Sequence, residues 1–145
     1  MTNQGQHLVG QSLIRLIIAA LLGTSASISL AQTTDITASG LNTAIHPALN
    51  GTTFNIDGGT RPVGDNGQPN LFHSFGDFSL ATGHTAMFRN VDASGVAGTG
   101  YTGTTENIFG RVTGGNPSSI FGTIDSATNF PTANLWLINP AGMVF

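Results

Sequence analysis

Ile108-Phe109-Gly110-Arg111-Val112 is followed, 12 positions on, by Ile120-Phe121-Gly122-Thr123-Ile124. Both stretches read Ile-Phe-Gly-x-(Val/Ile), and Thr113-Gly114-Gly115-Asn116-Pro117 turns the chain between them. Leu135-Trp136-Leu137-Ile138 comes 15 positions after the second, then Met143-Val144-Phe145. Short apolar strands at such spacings, separated by Gly/Asn/Pro turns, predict a stacked repeat rather than a meander. The alternative is a chance match within a composition of few residue types.

Composition fits stacking. Charged residues make up 8% of the 145, against roughly 25% in an ordinary domain, and Gly contributes 20. In parallel stacked strands, a side chain sits about 4.8 Å above its counterpart in the next strand. Like charges in such ladders repel, whereas Thr, Asn, Ser and apolar residues stack well. Gly, Thr and Asn are poor helix formers, while Thr and Phe suit strands. The chain is therefore expected to be all-β. Its low charge does not signal disorder, because 39% of it is hydrophobic.

Working outward from the repeat, Thr52-Thr53-Phe54-Asn55-Ile56-Asp57 alternates, with Phe54 and Ile56 on one face. It lies between the turn pair Asn50-Gly51 and Asp57-Gly58-Gly59. Residues 61–70 read as a loop. Leu71-Phe72, Phe75 and Phe78-Ser79-Leu80 follow, and the spacing of three in Phe72, Phe75, Phe78 fits neither a single strand nor a helix. These rings are expected to plug an end or bend of the stack, with exposure for a partner as the alternative reading. Thr85-Ala86-Met87-Phe88-Arg89 is a further strand, and residues 92–106 are a long loop or weak rung.

The first thirty residues have the order of a secretory signal peptide. A polar start ends in Arg15, an apolar run covers Leu16 to Leu22, and Ser29-Leu30-Ala31 sets small residues before a cut between Ala31 and Gln32. A membrane anchor is the alternative, but Ser, Thr and Gly interrupt the second half of the segment. The net charge is −3 and all four basic residues are Arg. That excludes sequence-independent nucleic-acid binding and makes an anionic membrane surface an unsuitable partner. Cys is absent, so no disulfide can lock the chain in an oxidising compartment.

Three stretches together resemble one family. They are Gln68-Pro69-Asn70-Leu71-Phe72-His73-Ser74-Phe75 with the following Phe78-Ser79-Leu80, Arg111-Val112-Thr113-Gly114-Gly115 with Ile124-Asp125, and Ala133-Asn134-Leu135-Trp136-Leu137-Ile138-Asn139-Pro140-Ala141-Gly142-Met143-Val144-Phe145. The chain is similar to the N-terminal secretion domain of two-partner-secretion exoproteins, of the filamentous-haemagglutinin (haemagglutination-activity) type, in its cyanobacterial form. The family's signatures Asn-Pro-Asn-Leu and Asn-Pro-Asn-Gly-Ile stand here as Gln68-Pro69-Asn70-Leu71 and Asn139-Pro140-Ala141-Gly142-Met143. Pro and Gly keep their turn-forming places.

The resemblance implies a right-handed parallel β-helix with an N-terminal cap, preceded by a signal-peptide helix. Residues 1–31 would be the leader, and residues 32–145 the N-terminal part of the secretion domain, cut short at its C-terminus. It implies export by the Sec machinery, cleavage by signal peptidase, and recognition by the periplasmic soluble domains of a dedicated outer-membrane barrel transporter. The product would be an adhesin, secreted or held at the cell surface. A missing downstream region would meet a host or neighbour cell. Gln68, Pro69, Asn70, Leu71, Phe72 and Phe75, together with Asn139, Pro140, Ala141, Gly142 and Met143, are the expected recognition residues.

The chemistry-bearing residues point away from catalysis. His73 and Ser74 are adjacent, so in a strand they face opposite sides. Gly98-x-Gly100-x-x-Gly103 has no helix pattern after it. His46, His73 and His84 are widely spaced, without a close carboxylate pair, and the acids are dispersed. No enzyme, cofactor or metal is expected. The alternatives are a secreted β-helix enzyme acting on polysaccharide through Asp77 or Asp125, and a non-functional gene fragment. N-terminal sequencing of the exported protein should begin at Gln32; retention of Met1 to Ala31 would favour the anchor.

Overall fold

The computed structural model describes residues 32–62 and 70–145. The leader, its cut at Ala31/Gln32 and the signature residues Gln68 and Pro69 lie outside the described residues. Among the described residues there is no helix, and ten strands form three open sheets. The strands are β1 (Asp35–Gly40), β2 (Thr43–Pro47), β3 (Thr53–Gly58), β4 (Asn70–Ser79), β5 (Thr85–Phe88), β6 (Asn107–Val112), β7 (Ser118–Ser119), β8 (Thr123–Asp125), β9 (Asn134–Ile138) and β10 (Met143–Val144).

The first sheet runs β1-β4-β6-β9, the second β2-β3-β5-β8, and the third pairs β7 with β10. Every pairing is parallel except β1 with β4 and β2 with β3. Leu80 extends the third sheet by a parallel bridge to Ile120. From β4 onward the chain therefore visits first, third and second sheet, then repeats that order. β1 and β2 end the first two sheets on one side with antiparallel pairings.

The core lies between the sheets. Leu71, Phe75, Phe78, Leu80, Ile108, Val112 and Ile120 pack with Ile56, Ala86 and Phe88. Register stacks like on like: Leu71 pairs with Ile108 and Ile108 with Leu135. Size alternates where space is short. Phe54 lies beside Ala86, and Ala86 beside Ile124. Gly110 lies between His73 and Leu137, and a Cβ there would come 3.0 Å from the Phe75 ring.

Two expectations change. The Phe72–Phe75–Phe78 spacing fits one strand after all, because β4 is ten residues long and carries a bulge. Between the pairs Ala38–Phe75 and Ile36–Phe78, β4 spends one residue more than β1. The extra residue at Gly76–Asp77 turns Phe78 back inward, beside Phe75. Phe72 points out. The two Ile-Phe-Gly stretches are not equivalent rungs either. Ile108 belongs to the first sheet, whereas Ile120 bridges to Leu80 and Thr123–Asp125 belongs to the second. The true repeat aligns Leu71, Ile108 and Leu135, spaced unequally because the connecting loops differ in length.

Phe75 is fully buried and meets Phe78 and Phe88 edge to face, at 5.0 and 6.4 Å between centroids. Phe75→Ala should destabilise the domain by ~3–5 kcal/mol, read as a lower urea midpoint with an unchanged m-value.

Candidate functional site

The strand alternation of β4 decides which candidate recognition residues reach the surface. Asn70, Phe72 and Ser74 point outward, while Leu71, His73 and Phe75 point into the core. The outward rows continue across the sheet in register. Asn70, Asn107 and Asn134 form one row, in which Asn107 Nδ2 donates to Asn70 Oδ1 at 3.0 Å and Asn134 Nδ2 to Asn107 Oδ1 at 3.3 Å. Phe72, Phe109 and Trp136 form the next. Their rings stack at 5.1 and 6.4 Å with 16° between planes, and Trp136 is exposed. Ser74, Arg111 and Ile138 make the third.

The later signature follows directly on β9 as a turn that leads from the first sheet to β10 of the third, while Asn70 and Leu71 of the earlier one open β4. Its turn survives the departures from the family pattern. The Ala141 N–H donates to Asn139 Oδ1 at 2.9 Å, and the Gly142 N–H to the Asn139 carbonyl at 3.1 Å. Gly142 takes φ 112, open to glycine. Asn139 Nδ2 donates to the Asn116 carbonyl and to Ser118 Oγ, so Asn139 ties the turn to the neighbouring loop. Met143 begins β10, and a pocket of about 130 Å³ separates Arg111 from Asn139, Pro140 and Ala141.

Sequence reading missed one cluster. Asp57, fully buried, accepts hydrogen bonds from Arg89 Nε at 2.8 Å and from Arg89 Nη2, while His46 Nδ1 lies 2.7 Å from its Oδ2. Bonding to Asp57 raises the Arg89 pKa above its usual value. The long loop after β5 closes over this cluster: a Cβ at Gly95 would stand 2.9 Å from His46 Nδ1. His46 and Asp57 are 11 residues apart and Arg89 a further 32, so no local spacing signals the meeting.

The carboxylates named for the polysaccharide reading are separated and occupied. Asp77 is in β4 of the first sheet and accepts from Asn116 Nδ2. Asp125 is in β8 of the second and accepts from the Thr128 N–H and hydroxyl, which lower its pKa. His73 and Ser74 do face opposite sides, as the strand requires.

His73 is 1% exposed, edge to face with Phe88 and hydrogen-bonded through Nδ1 to Thr43 Oγ1 at 3.3 Å. Burial, with a smaller contribution from the nearby Arg61 charge, lowers its pKa from 6.5 to about 4. In that window the unfolded chain holds a proton that the folded one rejects, so stability falls as pH drops from 6.5 to 4. The loss approaches about 3 kcal/mol. His73→Gln should flatten the dependence of the urea midpoint on pH across this interval.

No curated protein and no solved structure matches the chain. The family model of the TPS secretion domain matches residues 31–145, which covers all of the described strands and both signatures. That family comprises secretion domains of exoproteins, not enzymes, and implies export through the outer membrane with a transporter partner. The chain belongs to the TPS secretion-domain family.

Proposed function

We propose that the chain is the non-enzymatic recognition part of an adhesin-like exoprotein, read by the periplasmic soluble domains of its outer-membrane transporter. Residues 1–31 act as the Sec leader, cut before Gln32, and residues 32–145 wind as a right-handed parallel β-helix capped by β1 and β2. The observation that carries this is the repeated visiting order of first, third and second sheet, with Asn70 and Leu71 of one signature opening β4 and the other signature turning the chain out of β9. A coil built in that way adds one rung at a time onto the last. Later rungs can therefore order on the recognised ones as they emerge from a pore, which makes return unfavourable. Without Cys, no disulfide bars that threading.

In the folded domain Leu71 and Phe75 offer no surface, so recognition falls to the outward residues Asn70 and Phe72 and to the Asn139–Gly142 turn. Phe72→Ser, placed in the exoprotein co-expressed with its transporter, should cut export into the medium at least about tenfold, equivalent to ~1.4 kcal/mol of recognition. The urea midpoint of the domain should change little. Undiminished export with Phe72→Ser, and also with Asn139→Ala, would refute recognition through this face.

A further inference from the structure

Among the described residues, two side-chain nitrogens are buried without a hydrogen-bond partner: Arg61 Nη1 and His73 Nε2. Both belong to one place. A pocket of about 360 Å³ lies beside the second sheet, lined by Gly59, Arg61, Arg89, Asp92 and Tyr101 among others. A Cβ on Gly59 would stand 3.0 Å from His73 Nε2, so the imidazole lies directly behind the pocket wall. Two of the three Arg of the described residues line this pocket.

The two guanidiniums differ. Arg89 spends Nε and Nη2 on Asp57 and is thereby neutralised. Arg61 has no carboxylate within salt-bridge range among the described residues; its guanidinium lies 4.2 Å from the centroid of the Tyr101 ring. Burial lowers its pKa, yet Arg stays protonated in proteins. A desolvated guanidinium N–H without an acceptor costs more than a neutral donor would. Tyr101 offers a π face but no acceptor in the guanidinium plane. The opposite wall is preformed. Asn90 Nδ2 donates to the Tyr101 carbonyl at 2.8 Å and the Tyr101 N–H donates to Asn90 Oδ1 at 3.0 Å, which pins Tyr101 over Arg61.

We infer that this pocket is an anion site, and that its ligand is a carboxylate held by Arg61. A carboxylate supplies both the acceptor and the countercharge that a water would leave missing. Asp92 argues for a singly charged group. Asp92 lines the same pocket, and hydrogen bonds from the Ser94 hydroxyl and N–H lower its pKa, so its negative charge opposes a dianion more than a monoanion. The site stands independently of transporter recognition, which was assigned to the first sheet.

The test uses the full chain and sodium acetate as the probe, at constant ionic strength made up with chloride. Saturable movement of the Arg61 Nε–H resonance is expected, with a dissociation constant on the order of millimolar. Arg61→Gln should weaken binding, read as the rise in thermal midpoint with acetate, at least about tenfold. No saturation, or an equal thermal response in Arg61→Gln, overturns the site. If that variant does not fold, the resonance of the native chain decides alone. Sulfate binding as tightly as acetate overturns the carboxylate assignment. N-acetyl-aspartate amide and glucuronate form two further arms. Tighter binding of the first places the carboxylate on a protein partner and of the second on an acidic polysaccharide, and either supports the site.

Discussion

In-register parallel stacking is the constraint on which the rest of this structure depends. Each side chain from Asn70 to Ser74 in β4 has its counterpart in β6 and again in β9, about 4.8 Å apart per step. Whatever one strand presents, the next must tolerate at that distance. Asn over Asn gains a hydrogen bond, a ring over a ring gains stacking, and Leu over Ile fills the interior. Charge over like charge would only repel. A content of 8% charged residues follows from that rule, as does the single Arg in the three outward rows, where Arg111 stands between Ser74 and Ile138.

The buried charges sit where stacking does not reach. Asp57 comes right after Ile56 in β3, and the β3–β5 register ends with Ile56 opposite Phe88. Beyond the ladder the chain is free to diverge, and Arg89 turns its guanidinium onto the carboxylate. A buried ion pair of this kind recovers its desolvation only with good geometry and further hydrogen bonds. The bidentate contact and His46 supply them, and the pair fixes the course of the loop that crosses the second sheet.

The first sheet thus carries the outward rows that start at Asn70 and Phe72, with the Asn139–Gly142 turn at the end of β9, and the second carries the loop and the pocket behind it. The same alternation that buries Leu71, His73 and Phe75 exposes Asn70, Phe72 and Ser74. A short segment can therefore serve the core and the surface at once. His73 is the exception among the inward residues, a titratable ring in an apolar layer, and it gives the stack a sensitivity to acid that its apolar neighbours lack.

Local pattern was enough to settle the all-β class, most strand positions, the Asn50 and Asn139 turns and the opposed facing of His73 and Ser74, because each rests on the two-residue period of a strand or on a turn's own side chain. Three things belonged to the tertiary structure alone. The bulge at Gly76–Asp77 exists only by comparison with the partner strand β1, so the phenylalanine spacing was misleading when read in isolation. The true repeat is measured between strands that loops of unequal length bring into register, whereas the Ile-Phe-Gly match was local and fell on different sheets. The meetings of Asp57 with Arg89 and of Arg61 with Tyr101 join residues 32 and 40 positions apart. Electrostatic and ring contacts act through space, and no sequence spacing encodes a distance that only the folded chain creates.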